Sequence, residues 1–201
     1  MDIGALLQTF IYLVSSSLLY PVLLALSLLV LVIIVQAGGF FAEWLERARL
    51  TPCPSQDLPR LLQTGQAQGM ISHRVNHYLQ ILTQIRSQPG NHGIAVEHLL
   101  QSTTLELWKS MDRLRILVRT GPSLGLLGTL IPMGTGLASL GQGDMTKLSS
   151  DLVIAFTTTV VGMAAGTIAF CFYTLRRRWL EEDIKNMELA TELLLNGPVE
   201  N

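Results

Sequence analysis

Residues 121–173 read GPSLGLLGTLIPMGTGLASLGQGDMTKLSSDLVIAFTTTVVGMAAGTIAFCFY, and this stretch decides the fold. It contains most of two charge-free segments, 120–143 and 152–175, of 24 residues each. About 20 apolar residues span the hydrocarbon core of a bilayer as an α-helix, so each segment is long enough to cross. Only residues 144–151 separate the two segments. The stretch therefore predicts two transmembrane helices joined by a short loop.

Small and hydroxylic residues lie on one face of each predicted helix. Successive residues of an α-helix are rotated by about 100°, so the small and hydroxylic residues of each helix form a stripe about 100° wide. The first stripe consists of Gly121, Gly125, Gly128, Thr129, Pro132 and Gly136. The second consists of Asp151, Ala155, Thr158, Thr159, Gly162, Gly166, Ala169 and Tyr173. Bulky aliphatic residues occupy the opposite faces, so each helix has one small, partly polar face and one apolar face.

The glycines of these stripes favour close packing of the two helices. Small residues let helix backbones approach each other in lipid, and the pairs Gly121/Gly125 and Gly162/Gly166 fit the GxxxG spacing. We expect these four residues and Gly128 to form the packing surface.

The threonines of the same stripes have two possible interpretations. A membrane threonine can donate to a carbonyl of its own helix, so a single hydroxyl needs no function. Three consecutive threonines, Thr157, Thr158 and Thr159, together with Thr129 on the matching stripe, exceed what packing needs. One interpretation is that these threonines are structural. The other is that Thr129, Thr158 and Thr159 form part of a polar path for ions.

Pro132 follows Thr129 by about one helical turn. Because proline has no N–H, it frees the carbonyl of Gly128 four residues earlier. That carbonyl either contributes to the polar path or simply accompanies a kink that shapes helix packing.

Two motifs of this stretch resemble those of the MotA/TolQ/ExbB proton channel family. GLLGT at 125–129 is similar to the LGT motif of the family's middle transmembrane helix. TTVVG at 158–162 is similar to the last helix, in which a threonine precedes a glycine by three residues. Thr129 and Thr159 occupy the two threonine positions, and the resemblance covers the whole layout of the chain.

The resemblance implies a homopentamer of three-helix subunits around two copies of a single-pass partner similar to ExbD, TolR or MotB. The partner would carry an intramembrane Asp, a residue that is costly in lipid and usually functional. Thr129 and Thr159 would bind its carboxylate or a bridging water while H⁺ or Na⁺ passes, and ion flow would drive work such as transport across the envelope. No cofactor beyond the transported ion is implied. TolQ and ExbB relatives often have an acid five residues before the last-helix threonine; Ile154 occupies that position here, which is closer to the MotA pattern.

The composition agrees with a membrane protein. Hydrophobic residues make up 49% of the 201 residues, charged residues 14%, and mean hydropathy is +0.40. A net charge of −1 and the lack of a basic patch argue against nucleic-acid binding. Cys53 and Cys171 are far apart in the sequence, so neither a disulfide nor a cysteine metal site is expected.

The positions of the basic residues predict the orientation. The segment 36–120 holds nine of the 14 Lys and Arg residues, and the tail after residue 175 holds four. Lys147 is alone in the predicted hairpin loop, and no charge occurs over residues 3–42. By the positive-inside rule the N-terminus and the loop face outward, and the C-terminus is cytoplasmic. The resemblance implies that the membrane is the plasma (inner) membrane.

These observations predict an all-α membrane protein with three transmembrane helices and long helical cytoplasmic extensions. Residues 1–18 are expected to form a short outer-surface helix, with one continuous helix kinked at Pro21 as the alternative. The remaining divisions are 19–41 (first transmembrane helix), 42–120 (cytoplasmic helices), 121–143 (second transmembrane helix), 144–151 (outer loop), 152–175 (third transmembrane helix) and 176–201 (cytoplasmic helix).

The cytoplasmic segments carry two amphipathic patterns. One apolar face consists of Ile71, Val75, Tyr78, Leu79 and Leu82, and that of the tail consists of Leu180, Ile184, Met187, Thr191 and Leu194. His73 and His77 have a metal-compatible spacing, but no carboxylate or cysteine nearby completes a site, so no metal is expected.

No catalytic triad, zinc-protease motif or phosphate-binding loop is present in the sequence, so an enzyme is not expected. Besides the bilayer, the expected partners are copies of this chain and the single-pass protein. The alternative to an ion channel is a non-conducting oligomeric membrane scaffold, which would use the small faces only for assembly.

Overall fold

The computed structural model describes residues 3–49, 72–86 and 92–196, and no strand occurs within these ranges. The described residues form five helices: α1 (Ile3–Ser17), α2 (Leu19–Arg49), α3 (His73–Arg86), α4 (His92–Leu140) and α5 (Met145–Asn196). The predicted linker around Cys53 and the apolar residue Ile71 lie outside the described residues, and so does the side chain of Leu194.

Within the described residues, three helical stretches are long and apolar enough to cross a membrane: Thr9–Arg49, Gly93–Leu140 and Met145–Leu193. The predicted all-α fold with three transmembrane helices is confirmed at this level, whereas the homopentamer stays a prediction. At about 1.5 Å per residue, α4 and α5 are each about 75 Å long, more than twice the thickness of the hydrocarbon core. The helix α4 continues through Pro122 and Pro132.

The N-terminal helix α1 is separated from α2 by Leu18 alone. The N–H of Leu18 lies 3.2 Å from the carbonyl oxygens of both Val14 and Ser15, a local tightening of the helix. Pro21 lies in the first turn of α2, where its missing N–H would have no helical partner. The interruption between α1 and α2 therefore lies at Leu18, before Pro21, without a loop.

The connection between α4 and α5 is shorter than the sequence suggested. Residues 145–151 of the predicted loop are already helical, and only residues 141–144 connect the two helices. Gly143 has a φ of 79°, a conformation that side-chain-bearing residues rarely adopt. Asp144 then caps α5, because its Oδ1 accepts the N–H of Lys147 at 3.0 Å. This cap begins the helix two turns earlier than the hydropathy pattern indicates.

The chain divides into two compact units. The first, here called the membrane unit, consists of Met1–Ala37 and Arg113–Tyr173. Its core contains Leu29 and Ile33 of α2 against Ala165 and Ala169 of α5. Many large apolar side chains of this unit face outward, as a lipid or subunit environment requires: Leu24, Leu31, Leu126, Leu130, Phe156, Val160 and Met163 are all more than half exposed.

The second unit, here called the extramembrane unit, consists of Gly38–Asp112 and Thr174–Asn201. Val75, Tyr78 and Leu82 of α3 form its core with Val96 of α4 and Met187 of α5. The described parts of both predicted amphipathic faces are thus confirmed as core. Burial raises the pKa of the Tyr78 hydroxyl, which lies 2.7 Å from the Thr191 hydroxyl.

A buried carboxylate, Asp183, joins three segments of the extramembrane unit. Its side chain is only 2% exposed and pairs with the guanidinium of Arg47 of α2. Ser72, just before α3, also donates to this carboxylate, and Arg74 lies 3.8 Å away. Burial raises the pKa of Asp183, although Arg47 opposes the shift by favouring the charged form. These contacts of Asp183 therefore connect the end of α2 and the start of α3 to α5.

Glu43 extends this ion cluster. Its two carboxylate oxygens bind Arg74 at 2.8 Å and Arg176 at 2.7 Å. Arg47 also lies 5.3 Å from the ring centre of Trp179, and that ring stacks on Phe40. Removing one member of a buried ion pair is costly, because the remaining charge is left buried without a partner.

We expect Asp183→Ala to destabilise the extramembrane unit by about 3–5 kcal/mol, since it leaves Arg47 buried without its main partner. The measurement is chemical or thermal unfolding of the purified chain in detergent. Glu182→Ala is the matched control, because Glu182 is 65% exposed and lies 3.9 Å from Arg47; it should change stability by less than about 1 kcal/mol. Equal effects of the two substitutions would contradict the assigned role of Asp183.

Candidate functional site

The helices α4 and α5 touch through their backbones within the membrane unit. A Cβ atom placed on Gly162 would lie 2.6 Å from the Cα of Gly125 and 2.8 Å from the carbonyl oxygen of Gly121. A Cβ on Gly121 would lie 2.9 Å from the backbone nitrogen of Gly166. No side chain fits at such distances, so four of the five glycines selected from the sequence lie where the two helices come closest.

Thr158 fills the space over Gly128, the fifth of these glycines. A Cβ on Gly128 would lie 2.7 Å from both the Cβ and the Oγ1 of Thr158. Thr158 is 4% exposed, and its hydroxyl is within 3.0 Å of the carbonyl oxygens of Ile154 and Ala155 in its own helix. The sequence analysis left Thr158 either structural or part of an ion path; the structure places it between the two helices, with its hydroxyl hydrogen directed to carbonyl oxygens of its own helix.

Thr129 and Thr159 meet across the two helices. Their Oγ1 atoms are 3.1 Å apart, and both residues are only partly buried. The Thr129 hydroxyl also lies 2.9 Å from the carbonyl oxygen of Gly125, and the Thr159 hydroxyl lies 3.0 Å from that of Ala155. The two threonines selected from the motifs are therefore brought into direct contact.

Each hydroxyl of this pair has one hydrogen and more than one acceptor within reach. If Thr159 donates to Thr129, and Thr129 donates to the carbonyl oxygen of Gly125, every hydrogen is used and the Thr159 oxygen keeps free lone pairs. If Thr159 turns its hydrogen away from Thr129, it can donate to a third group. The pair can therefore act as acceptor or donor toward a group that approaches its exposed edge.

Pro132 is buried in the membrane unit, with its side chain less than 2% exposed. Its carbonyl oxygen accepts a hydrogen bond, at 3.0 Å, from the hydroxyl of Thr135, which lies about one helical turn later. The ring itself contributes packing area rather than a polar group.

The membrane unit alone has no titrating group at the threonine pair. Segments 120–143 and 152–175 contain no charged residue, and a threonine hydroxyl does not ionise near neutral pH. Within the described ranges, no group of three or more His, Cys, Asp or Glu side chains could hold a metal ion. Any ion that passes the pair requires a carrier from outside this chain or a continuous path of water.

Sequence reasoning missed two polar arrangements. One is the bond from the Thr135 hydroxyl to Asp151, at 2.8 Å, although Asp151 was recognised as part of the second stripe. The other is the Arg47–Asp183 pair, whose members are 136 residues apart in the chain. The only signal of these contacts in the sequence is a charged residue on an amphipathic helix. Many charged residues that are exposed to solvent give the same signal.

Gly162→Ala is expected to separate α4 and α5, because its new Cβ would overlap the Gly125 backbone. Overpacking of this kind costs about 1–3 kcal/mol, measurable as a lower unfolding midpoint in detergent. Gly134→Ala is the control, since a Cβ there has nothing within 4 Å, and alanine favours the helix. An unchanged midpoint for Gly162→Ala would show that the helices do not pack as described.

The sequence profile of the MotA/TolQ/ExbB proton channel family matches residues 66–189, more than half of the chain. A protein of Methanothermobacter thermautotrophicus described as a biopolymer transport protein ExbB homolog is 25% identical over 137 residues. That alignment covers 68% of this chain but 48% of the relative, so the chain spans about half the relative's length. No solved structure matches the chain. With both family motifs present and their threonines in contact, the chain belongs to the MotA/TolQ/ExbB proton channel family.

Proposed function

We propose that this chain is the stator-like channel subunit of an energy-transducing motor in the inner membrane. In this proposal a single-pass partner of the ExbD, TolR or MotB kind supplies an intramembrane Asp, and H⁺ or Na⁺ flow drives mechanical work. The observation that carries the proposal is the contact between Thr129 and Thr159, 3.1 Å apart on a charge-free helix pair.

The hydroxyl pair suits a carboxyl group that changes its protonation state. A protonated carboxyl would donate to the free lone pair of the Thr159 oxygen. After the proton leaves, the carboxylate would accept the Thr159 hydrogen, which turns away from Thr129. A hydrogen bond to the charged form lowers the cost of ionisation in an apolar setting. The pair can therefore stabilise both forms of the partner's acid without bearing a charge.

Thr129 acts on the carrier through Thr159. Its hydrogen has the carbonyl oxygens of Gly125 and Leu126 as acceptors, at 2.9 and 3.0 Å. When the Thr159 oxygen accepts a hydrogen bond from the partner's acid, the Thr159 hydroxyl can donate its own hydrogen to the Thr129 oxygen. Thr129 is thus a positioning residue, and Thr159 is the residue that contacts the carrier.

The proposed assembly has five copies of this chain around two copies of the partner, in line with the family. The apolar outer surface of the membrane unit supports this proposed assembly. Leu126 is 59%, Phe156 is 68% and Val160 is 68% exposed there. Neighbouring subunits, the partner and lipid together would cover these side chains. The proposed orientation has the N-terminus outside and the C-terminus in the cytoplasm, on the basis of the basic residues.

A non-conducting scaffold is the second candidate. The glycine contacts between α4 and α5 favour it, because they account for the five glycines at 121, 125, 128, 162 and 166 without any ion path. A scaffold does not need a partner with an acid in the membrane. Native mass spectrometry of the complex purified through this chain in mild detergent separates the two: a five-to-two complex with an Asp-bearing single-pass protein supports the motor, and a pure homo-oligomer supports the scaffold.

Thr159→Val should abolish ion flux while the complex still assembles, because valine keeps the shape of threonine but lacks the hydroxyl. We expect at least a tenfold loss of H⁺ or Na⁺ uptake in proteoliposomes, roughly the effect of removing a hydrogen bond to a charged group. Thr159→Ser should retain most of the flux, and Thr129→Val should have a smaller effect than Thr159→Val.

Thr157→Val is the matched control for this experiment. Thr157 is exposed, and its hydroxyl donates to the carbonyl oxygen of Val153 in its own helix at 2.7 Å. It should leave flux unchanged. Normal conduction by an assembled Thr159→Val complex would rule out the assigned role of the pair.

A further inference from the structure

Asp151 is the carboxylate nearest to the threonine pair along α5. Over residues 113–173 the chain has only two acids, Asp144 and Asp151. Asp144 has a structural role, since its Oδ1 accepts the backbone N–H of Lys147 and so caps α5. Asp151 lies two turns further into the helix and plays no part in that cap.

The side chain of Asp151 is held between α4 and α5. Its Oδ2 accepts the hydroxyl hydrogen of Thr135 at 2.8 Å. A Cβ on Gly136 would lie 3.3 Å from the Cβ of Asp151, so the glycine leaves room for the carboxyl group. Ser139, 4% exposed, donates to the carbonyl oxygen of Thr135 at 2.9 Å and continues the polar contacts toward the connection between the helices.

Asp151 is a partly exposed acid without a salt bridge in the part of the chain that the structure describes. The packed surface of α4 contributes Thr135, Gly136 and Ser139 near it and no charge. On its own helix the charged neighbours are Lys147, one turn earlier and exposed, and Asp144. The carboxylate is therefore fixed by a hydrogen bond while its charge stays available to a cation.

Asp151 also lies on the same stripe of α5 as Thr159, about 80° around the helix from it. Thr159 follows it by eight residues, which is about 12 Å along the helix axis. The face between them is formed by Ala155 and Thr158, both almost completely buried against α4. Along α5, Asp151 is therefore the carboxylate that lies between Thr159 and the connection of the two helices.

We infer that Asp151, held by Thr135, is a cation-capture site at the outer mouth of the ion path. This inference rests on the proposed function and adds the group that supplies ions to it. A fixed negative charge at the mouth of an apolar passage raises the local concentration of cations, as acidic side chains do in cation channels. Either H⁺ or Na⁺ fits this chemistry, because a carboxylate and a hydroxyl oxygen are ligands for both.

A purely structural role predicts different behaviour. If Asp151 only joined the two helices, an amide in its place would serve equally well, because the Asn side-chain oxygen also accepts from Thr135. Asp151→Asn keeps the size and that bond but removes the charge. A capture site should then lose affinity for the ion but keep its maximal flux.

The experiment is ion uptake into proteoliposomes with the whole complex purified through this chain, at varied external concentrations of H⁺ and, separately, Na⁺. Asp151→Asn should raise the half-saturating concentration about fivefold at low ionic strength, the effect of one unit charge at about 4 Å in a water-like medium. Maximal flux should be unchanged, and Asp151→Glu should restore most of the affinity. High salt should reduce the difference from the wild type by screening.

Asp144→Asn is the matched control, since it removes the same charge from the same end of α5 and asparagine is an equally good helix cap. Its half-saturating concentration should stay at the wild-type value. If Asp151→Asn also keeps that value in a preparation where Thr159→Val abolishes flux, this inference is wrong and the proposed function stands. Equal shifts in Asp144→Asn and Asp151→Asn would reduce the effect to general surface charge and overturn the site. A wild-type complex that conducts neither ion overturns the proposed function and this inference with it.

Discussion

The contact between the backbones of α4 and α5 is the constraint on which the membrane unit depends. In lipid, apolar side chains gain nothing by leaving their surroundings, so helices associate through close van der Waals contact. Glycine at 121, 125, 162 and 166 removes the side chains that would keep the two backbones apart. Thr129 lies one turn from Gly125, and Thr159 lies one turn from Gly162. Their hydroxyls meet because the glycines have already brought the helices together.

The apolar surroundings then determine which chemistry this chain can contribute. A charged side chain in the middle of a bilayer is costly, whereas a threonine can satisfy its own hydroxyl with a carbonyl of the same helix. Thr129 and Thr159 keep such local bonds and still contact each other. The chain therefore supplies uncharged hydrogen-bonding groups in the membrane, and in our proposal the charge carrier comes from the partner. Its own carboxylate on this stripe, Asp151, lies near the start of α5 and is partly exposed.

The extramembrane unit differs from the membrane unit because it contains most of the charged residues of the chain. There Asp183 is buried against Arg47, and Glu43 joins Arg74 to Arg176. Apolar residues of the same size often stabilise a core as well as a buried ion pair does. Because a shift of one segment would leave buried charges unpaired, we expect the ion cluster to restrict how its three segments pack. The apolar core around Tyr78 and Met187 could tolerate small shifts that the paired charges do not.

The sequence by itself determined the helical class, the three membrane-spanning stretches and the faces on which glycine and threonine lie, because helical periodicity and bilayer thickness are local properties of the chain. The same periodicity identified Val75, Tyr78, Leu82 and Met187 as core. It could not separate Thr158 from Thr159, which are neighbours on one stripe. Only the packing of α5 on α4 decided that Thr158 fills the space over Gly128 while Thr159 reaches Thr129 at the edge. It also could not pair Arg47 with Asp183 or Thr135 with Asp151, because these bonds depend on which helices become neighbours and at what axial shift. Local sequence patterns determine which side chains lie on each face of a helix, and tertiary packing determines which groups those side chains contact.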